Sequence, residues 1–290
     1  MPHGRKEKTL GTLFLCATPI GNLGDVSSRF LETFRNVDII AAEDTRQTIK
    51  LLNYFDIQKP LTSYHEHNKV QKGEYLIGLL KEGKNVALVS DAGTPAISDP
   101  GEDLVALCIK NDITVTSIPG SVALINALIL SGLSTKRFSF EGFLSVNKRH
   151  RIEHLNSLKN DTHTMIFYEA PHKLLNTLTD MASVFGGDRK IALVRELTKL
   201  HEEITRVTIS EALEKFSTDK PRGEYVLVVD GKCAQEIEEE DNWWSELSVL
   251  EHVTEYIKKG NSSKDAIKQT ATDRKMPKRD VYNEYHQTKE

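Results

Sequence analysis

Two short segments of the chain place a carboxylate close to an arginine, directly after an apolar run. Glu43-Asp44-Thr45-Arg46 follows the run 38–42, and Arg195-Glu196 follows the run 191–194. A carboxylate fixed at the end of a strand can act as a general base or as a strong hydrogen-bond acceptor for a reacting hydroxyl group. The alternative is that each segment forms a salt bridge that ties one loop to another. The candidate catalytic residues are therefore Glu43, Asp44, Arg46, Arg195 and Glu196.

The elements that position such residues are indicated by a long loop of small residues. The apolar run 86–89 is typical of a buried strand, and the segment 90–101 after it contains two prolines, two glycines and two aspartates. A loop of this kind exposes backbone N–H and C=O groups around the crevice in which open α/β sheets bind ligands. An ordinary tight connection between a strand and a helix is the alternative.

The same arrangement occurs at two other places in the first half of the chain. The strand-like runs 12–17 and 113–118 end in the loops 18–25 and 119–121, and an apolar helix is predicted over 122–130. Three strands that each lead into such a loop predict a parallel sheet with its loops on one edge. Neither loop contains Gly-x-Gly-x-x-Gly, and the chain has no Gly-Lys-Ser/Thr. This favours a cofactor without a pyrophosphate.

The second half of the chain has its own strands and helices. The runs 163–168, 190–194, 205–209 and 223–229 are strand-like, and they predict a second sheet with mixed pairs, which we expect to be antiparallel. Pro171 is expected at the first turn of a helix.

The C-terminal part is predicted to be helical. Leu247, Leu250, Val253 and Ile257 fit one helical face, and two further helices are expected over 262–271 and 275–285. Two short helices joined by a tight turn resemble a helix-turn-helix, and a small bundle that only packs on the body is the alternative. The predicted order is an N-terminal α/β domain (10–132), a C-terminal α/β domain (133–232), an acidic linker (233–245) and a small helical domain (246–290).

Six motifs occur in an order that resembles a known family. They are Ala17-Thr18-Pro19-Ile20-Gly21-Asn22-Leu23, Glu43-Asp44-Thr45-Arg46, Ser90-Asp91-Ala92-Gly93-Thr94-Pro95, Ser98-Asp99-Pro100-Gly101, Tyr168-Glu169-Ala170-Pro171-His172 and Arg195-Glu196-Leu197-Thr198-Lys199. Together they resemble the ribosomal small-subunit RNA ribose-2′-O-methyltransferase branch of the tetrapyrrole methylase superfamily. The resemblance covers about residues 10–232.

This resemblance implies a class III S-adenosylmethionine-dependent methyltransferase with two α/β domains. The implied substrate is the ribose 2′-hydroxyl of a cytidine (cytidine-1402) in the decoding centre of the 16S rRNA. The implied partners are that RNA, within the small ribosomal subunit, and a second copy of the chain in a homodimer.

The resemblance also assigns cofactor contacts by position. They are Pro19 in the first loop, Asp91, Ala92, Gly93, Thr94 and Ile97 in the second, Ser121, Val122 and Ala123 after the third strand, and Tyr168 and Leu197 in the second domain. Many tetrapyrrole members carry Gly-Gly-Asp where this chain has Ala92-Gly93-Thr94. We therefore expect Asp91 to replace the missing carboxylate.

The formal net charge of −4 does not exclude an RNA partner, because its distribution is uneven. Five carboxylates lie in the run 236–241, and the rest of the chain is close to neutral. Basic residues flank the aromatic segment 138–144, which suits phosphate contacts with base stacking, although a solvated helix start is the alternative for 148–151. The candidate RNA contacts are Lys136, Arg137, Lys148, Arg149, Arg151, Lys278 and Arg279.

The remaining composition predicts a cytoplasmic protein. Three cysteines without metal-ligand spacing are expected to be reduced thiols, and the histidines show no metal spacing either. The charged start suggests no signal peptide, and no apolar run is long enough to span a bilayer.

Two other functions remain open at this stage. A small-molecule tetrapyrrole methyltransferase would share the fold and cofactor but would have no use for a basic helical tail. A non-catalytic RNA-binding protein would explain the tail but not the three convergent loops.

Overall fold

The computed structural model describes residues 9–233 and 243–287, so the predicted acidic run lies outside the described residues. The first sheet is parallel throughout, as predicted. Its strands are β1 (Thr12–Cys16), β2 (Ile39–Ala42), β3 (Leu61–Ser63), β4 (Val86–Val89) and β5 (Thr114–Ile118), in the order β3-β2-β4-β1-β5. The loops after β1, β2, β4 and β5 therefore leave the sheet at one edge.

Helices cover both faces of this sheet, which is why β2 and β4 are buried along their whole length. One face packs against α1 (Ser28–Asn36) and α2 (Thr45–Tyr54), and the other against α3 (Lys69–Lys81) and α4 (Gly101–Lys110). A short 3-10 helix (Leu23–Asp25) lies in the loop after β1. Helix α2 begins at Thr45 because the side chain of Asp44 accepts the N–H of Arg46 at 2.8 Å.

The second sheet is mixed, also as predicted. Its strands are β6 (Phe138–Phe143), β7 (Thr164–Glu169), β8 (Lys190–Arg195), β9 (Glu203–Thr208) and β10 (Tyr225–Val229), in the order β6-β7-β10-β8-β9. Only β6 and β7 pair in parallel among these strands; the other three pairs are antiparallel.

One face of the second sheet packs against α5 (Ala123–Ser131), through Leu124, Ala127 and Leu128. The other face packs against α6 (Lys148–Ser157), α7 (Leu174–Phe185) and α8 (Ile209–Thr218). Helix α5 precedes the predicted domain boundary in the chain but belongs to the core of the second sheet. Pro171 is not at the first turn of a helix: α7 begins at Leu174, and the proline lies in the turn before it.

Residues 160–162, 231–233 and 243–287 form a separate compact unit. Its helices are α9 (Val249–Lys258), α10 (Ser263–Asp273) and α11 (Lys278–Gln287), so the three predicted helices are present. Val249, Val253, Ile267 and Val281 form part of its own apolar core. The fold class is thus confirmed: two α/β sheets followed by a small helical unit.

Within the described parts of the chain, no helix has the length and apolarity needed to cross a membrane. All three cysteines are free thiols, with Cys16 and Cys108 buried and Cys233 exposed.

Candidate active site

A cleft of about 510 Å³ lies between the loop edge of the first sheet and the second sheet. Nine of the eleven predicted cofactor residues line it: Asp91, Ala92, Gly93, Thr94, Ile97, Val122, Ala123, Tyr168 and Leu197. The other two are close by. Pro19 lines a smaller cavity of about 290 Å³ beside the cleft, and Ser121 fixes the loop after β4 by accepting the Thr94 hydroxyl at 3.1 Å.

The backbone of Gly93 forms part of the cleft wall. Gly93 has a φ of +85°, and its N–H and C=O bond to the backbone of Thr18 at 3.1 and 2.9 Å. A Cβ atom at this position would lie 3.3 Å from Cγ2 of Ile20 and 3.6 Å from the carbonyl oxygen of Ser121. The positive φ and the close approach to Ile20 favour glycine at this position, which is buried in the cleft wall.

The rest of this loop is held in a conformation that ordinary residues rarely adopt. Ala96 and Ser98 have φ values of +68° and +63°. One carboxylate oxygen of Asp99 accepts the N–H groups of Ala96 and Gly101 at 2.9 and 2.7 Å. Backbone strain of this kind persists only where the surroundings enforce it, and it is concentrated at functional sites.

Glu43 lies at the mouth of the cleft, next to Asp91. Partial burial raises the pKa of Glu43, and the negative charges of Asp91 and Asp99 raise it further. Asp91 is fixed in place because its Oδ1 accepts the N–H of Asp44 at 2.9 Å. A carboxylate with a raised pKa is a stronger proton acceptor than an ordinary glutamate, so Glu43 is suited to act as a base.

Glu196 lines the same cleft but is in a different electrostatic environment. Its Oε1 accepts the N–H of Glu224 at 2.9 Å and the ammonium group of Lys199 at 3.0 Å. These hydrogen bonds, the backbone one foremost, lower the pKa of Glu196. The structure thus separates two carboxylates that the sequence treats alike: the pKa of Glu43 is raised, whereas the pKa of Glu196 is lowered by hydrogen bonds that join two loops.

The arginines of the two segments do not join their acids in the cleft. Arg46 is exposed, with 86% of its side-chain surface accessible, and pairs with Asp44 at 2.6 Å. Arg195 points to the opposite face of the second sheet, where it donates to Glu203 at 3.2 Å and to the carbonyl of Arg222 at 2.8 Å. Arg195 is the last residue of β8, and Glu196 follows it with a φ of +49°, so the chain turns between them and the two side chains line different cavities.

Comparison with known proteins identifies the family of this chain. Residues 12–213 match the family described as tetrapyrrole (corrin/porphyrin) methylases. The chain belongs to the tetrapyrrole methylase family. The matched range contains every cofactor residue predicted from the sequence.

Relatives within the family are similar over nearly the whole chain. The chain is 50% identical over 280 residues to the ribosomal RNA small subunit methyltransferase I of Bacillus subtilis, covering 97% of this chain and 96% of the relative. The protein of the same name from Halalkalibacterium halodurans is 53% identical over 277 residues, or 96% and 95% of the two chains. The solved structure of a cobalt precorrin-4 methyltransferase, with a TM-score of 0.59 and 14% identity, covers 79% of this chain and 98% of that one, and it shows the shared fold.

Several cleft residues of this tetrapyrrole methylase were not predicted from the sequence. Glu169 is buried, and its two oxygens accept the N–H of Ala170 at 2.8 Å and the hydroxyl of Thr177 at 2.5 Å. Lys199 is part of the motif Arg195-Glu196-Leu197-Thr198-Lys199, and Phe143 is part of the aromatic segment 138–144. That both residues line the cleft is visible only once the two sheets are packed together. The short motif that contains Glu169 was the one available signal.

The predicted RNA contacts divide into exposed and buried residues. Lys136, Arg137, Lys148, Arg149, Lys278 and Arg279 are exposed. Arg151 is 8% exposed; its guanidinium binds Asp180 at 2.6 Å and the carbonyl of Ser145 at 2.9 Å. Because these partners occupy its donors, we correct Arg151 to a structural residue.

Within residues 9–233 and 243–287, no group of three acidic, His or Cys side chains could hold a metal ion.

Proposed function

We propose that this protein is an S-adenosylmethionine-dependent methyltransferase of small-subunit rRNA. The observation that carries the proposal is the identity of about half, over nearly the full length of both chains, with relatives named ribosomal RNA small subunit methyltransferase I. The cleft between the two sheets provides a site for the reaction.

The residues of the cleft fit the cofactor. Gly93 lets its loop pack closely against Ile20 in the cleft wall, and the walls formed by Ile97, Val122 and Leu197 are apolar. Tyr168 adds an aromatic ring, which packs edge-on against Phe140 at 4.9 Å. S-adenosylmethionine supplies, when bound, a methyl group on a positively charged sulfur that a nucleophile can attack.

We further propose that the acceptor is the 2′-hydroxyl of cytidine-1402. A ribose hydroxyl is a weak nucleophile, so a base that removes its proton assists the reaction. The position of Glu43 in the cleft and its raised pKa support this role. Holding the hydroxyl in line with the methyl group supplies much of the remaining acceleration.

The exposed basic residues are the proposed RNA-binding groups. Four of them lie near β6, the strand that contributes Phe143 to the cleft. Lys136 and Arg137 precede β6, and Lys148 and Arg149 begin α6. Lys278 and Arg279 open α11 in the separate helical unit. Phosphate contacts by such residues position an RNA without reading its sequence.

We also propose a homodimer, which the family resemblance implies and which light scattering on the purified protein would measure.

Tritiated S-adenosylmethionine tests the proposal directly. We expect label to enter the 16S rRNA of 30S particles that lack the modification, and none to enter uroporphyrinogen. A 2′-O-methyl group blocks alkaline cleavage of the adjacent phosphodiester, so digestion with alkali should leave the label in one resistant dinucleotide that begins with cytidine. Label in a base, label in the tetrapyrrole, or no label in the RNA would overturn the proposal.

A further inference from the structure

A second cavity, which we call the side pocket, shares a wall with the cleft. Ser90 and Asp91 line both of them. The side pocket has a volume of about 290 Å³ and lies between the loop after β1 and helix α2. Of the eleven predicted cofactor residues, Pro19 and Asp91 line the side pocket, and the others do not. A group bound there therefore lies next to the cleft, across Ser90 and Asp91.

The side pocket has apolar surfaces and one exposed aromatic ring. Pro19, Leu23 and Leu51 supply the apolar part of the wall. Tyr54 is 63% exposed, and the ring of Phe55 packs against it edge-on at a centroid distance of 4.9 Å. Phe55 thereby limits the positions of the Tyr54 ring while leaving much of the ring accessible. An exposed aromatic ring beside an apolar surface is suited to stacking on a nucleobase.

The polar groups of the side pocket suit the rest of a nucleotide. Lys50 is exposed, and its ammonium group donates to Oε1 of Gln47 at 3.2 Å. This bond orients the amide so that its NH₂ group can donate to acceptors on a base edge. The ammonium group keeps further N–H donors for a phosphate. Asp91 lies on the shared wall, and Glu43 lines the cleft but not the side pocket.

We infer that the side pocket binds the pyrimidine nucleotide that is to be methylated, or the nucleotide next to it in a single-stranded segment of the RNA. The base stacks on Tyr54, Gln47 donates to its edge, Lys50 contacts the phosphate, and the ribose reaches the cleft past Asp91. This inference rests on the proposed function and adds the RNA subsite to it. A duplex would not fit, because its bases remain stacked on each other, so the target must be unstacked before it binds.

Steady-state kinetics with 30S particles and saturating S-adenosylmethionine test the inference. Tyr54→Ala should raise KM for the particle by about tenfold or more, the order expected when one base no longer stacks on an aromatic ring. The turnover number should change less than KM. Tyr54→Phe keeps the ring and should stay close to wild type. Tyr75→Ala is the matched control, because Tyr75 is also exposed on a helix of the first sheet but lies outside both cavities.

The phosphate contact is tested separately by salt dependence. Lys50→Ala should flatten the slope of log affinity against log salt by about 0.7 units, as for one phosphate contact to a single strand. Lys110→Ala, at the end of α4, is the control and should leave the slope unchanged. Calorimetric affinity for S-adenosylmethionine should be wild type in every variant.

The outcomes separate this inference from the proposed function. If the wild-type protein neither binds S-adenosylmethionine nor methylates the particle, the proposed function is wrong. If the wild-type protein does both, and Tyr54→Ala and Lys50→Ala keep the wild-type KM and salt slope, the side pocket is not the RNA subsite. Reduced cofactor affinity in Tyr54→Ala would instead show that the cofactor occupies the side pocket, which also overturns the inference.

Discussion

At the residue scale, substitution of Gly93 tests whether its loop forms part of the cofactor site. We expect Gly93→Val to lower the affinity for S-adenosylmethionine at least tenfold, because a branched side chain would push against Ile20, which lines the cleft, and would distort the loop. The φ of +85° adds a cost of about 1–2 kcal/mol for any residue with a Cβ atom, so the melting temperature should fall modestly. Gly78→Ala in α3 is the control, since nothing lies within 4 Å of the added atom. Calorimetry that finds unchanged affinity in Gly93→Val would remove this loop from the cofactor site.

We expect substitutions of Glu43 and Glu196 to have different effects on turnover, although both residues follow a strand. Glu43→Gln should lower the turnover number by about tenfold or more, the range expected when acid–base assistance is removed, with cofactor affinity little changed. In the wild type, turnover should fall as pH drops through a pKa above the usual glutamate range, because only the ionised carboxylate accepts the proton. That acidic limb should disappear in Glu43→Gln.

Glu196→Gln is the comparison for this test. Its hydrogen bonds to Glu224 and Lys199 hold its pKa low, so we expect it to keep the acidic limb and most of the turnover. Equal decreases in both variants, or wild-type single-turnover rates in Glu43→Gln, would contradict the assignment of Glu43 as the base.

At the scale of elements, the loop after β1 meets the loop after β8 through one glycine. A Cβ atom on Gly21 would lie 2.4 Å from Cγ of Lys199 and 3.0 Å from the hydroxyl oxygen of Thr198. Gly21→Ala should therefore push the two loops apart, widen the cleft and weaken cofactor binding several-fold. The double variant Gly21→Ala/Lys199→Ala should recover part of the affinity, because it removes the atom that clashes, and a double-mutant cycle measures this coupling. Additive effects would show that the loops do not constrain each other.

The sequence predicts the positions of strands and loops better than it predicts where individual side chains point. Buried strands that end in small-residue loops follow from local patterns, so β1, β4, β5 and the loop of Gly93 can be predicted without tertiary information, whereas β3 and β6 were not predicted. The side on which Arg195 lies depends on the pairing of β8 with β9, which brings Glu203 opposite it. The burial of Arg151 depends on Asp180, which is 29 residues away in the chain. Such partners are set by tertiary packing, and no local spacing reveals them.

The helical unit contains a buried histidine that should make its stability depend on pH. His252 is fully buried against Trp244 and Tyr256; Arg274 donates to its Nδ1 at 3.2 Å, and Asp273 lies 3.3 Å from its Nε2. Burial, together with the positive charges of Arg274 and Lys259, lowers the pKa of His252 despite Asp273. The unfolded chain then binds a proton near pH 6.5 that the folded unit does not, so stability should fall as pH drops below about 6.5.

Tryptophan fluorescence is the direct measurement, because both tryptophans of the chain, Trp243 and Trp244, pack against this histidine. Denaturant midpoints should decrease between pH 7 and pH 5. The decrease should be smaller in His252→Gln, which keeps a hydrogen-bond acceptor but does not titrate. His150→Gln changes an exposed histidine and should behave as wild type. An equal decrease in His252→Gln would mean that another group controls the pH dependence.

At the scale of the whole molecule, cofactor binding and RNA binding are predicted to be separable. Every residue that lines the cleft lies between Ile20 and Val226, within the unit that holds both sheets. The helical unit has its own core, and it carries Lys278 and Arg279 on exposed positions. A chain truncated after Lys232 should therefore bind S-adenosylmethionine with wild-type affinity.

The truncated chain should differ from the full chain in its response to the ribosomal particle. We expect a higher KM and a flatter dependence of log affinity on log salt, by somewhat under ~1 unit for each phosphate that the shortened protein no longer touches. Lys278→Ala/Arg279→Ala in the full chain is the matched variant, because it removes two charges and keeps the helices. If it reproduces the salt effect of the truncation, the basic start of α11 contacts RNA. If both proteins keep the wild-type KM and salt slope, the helical unit serves packing or subunit contacts, and the RNA is bound by the two-sheet unit alone.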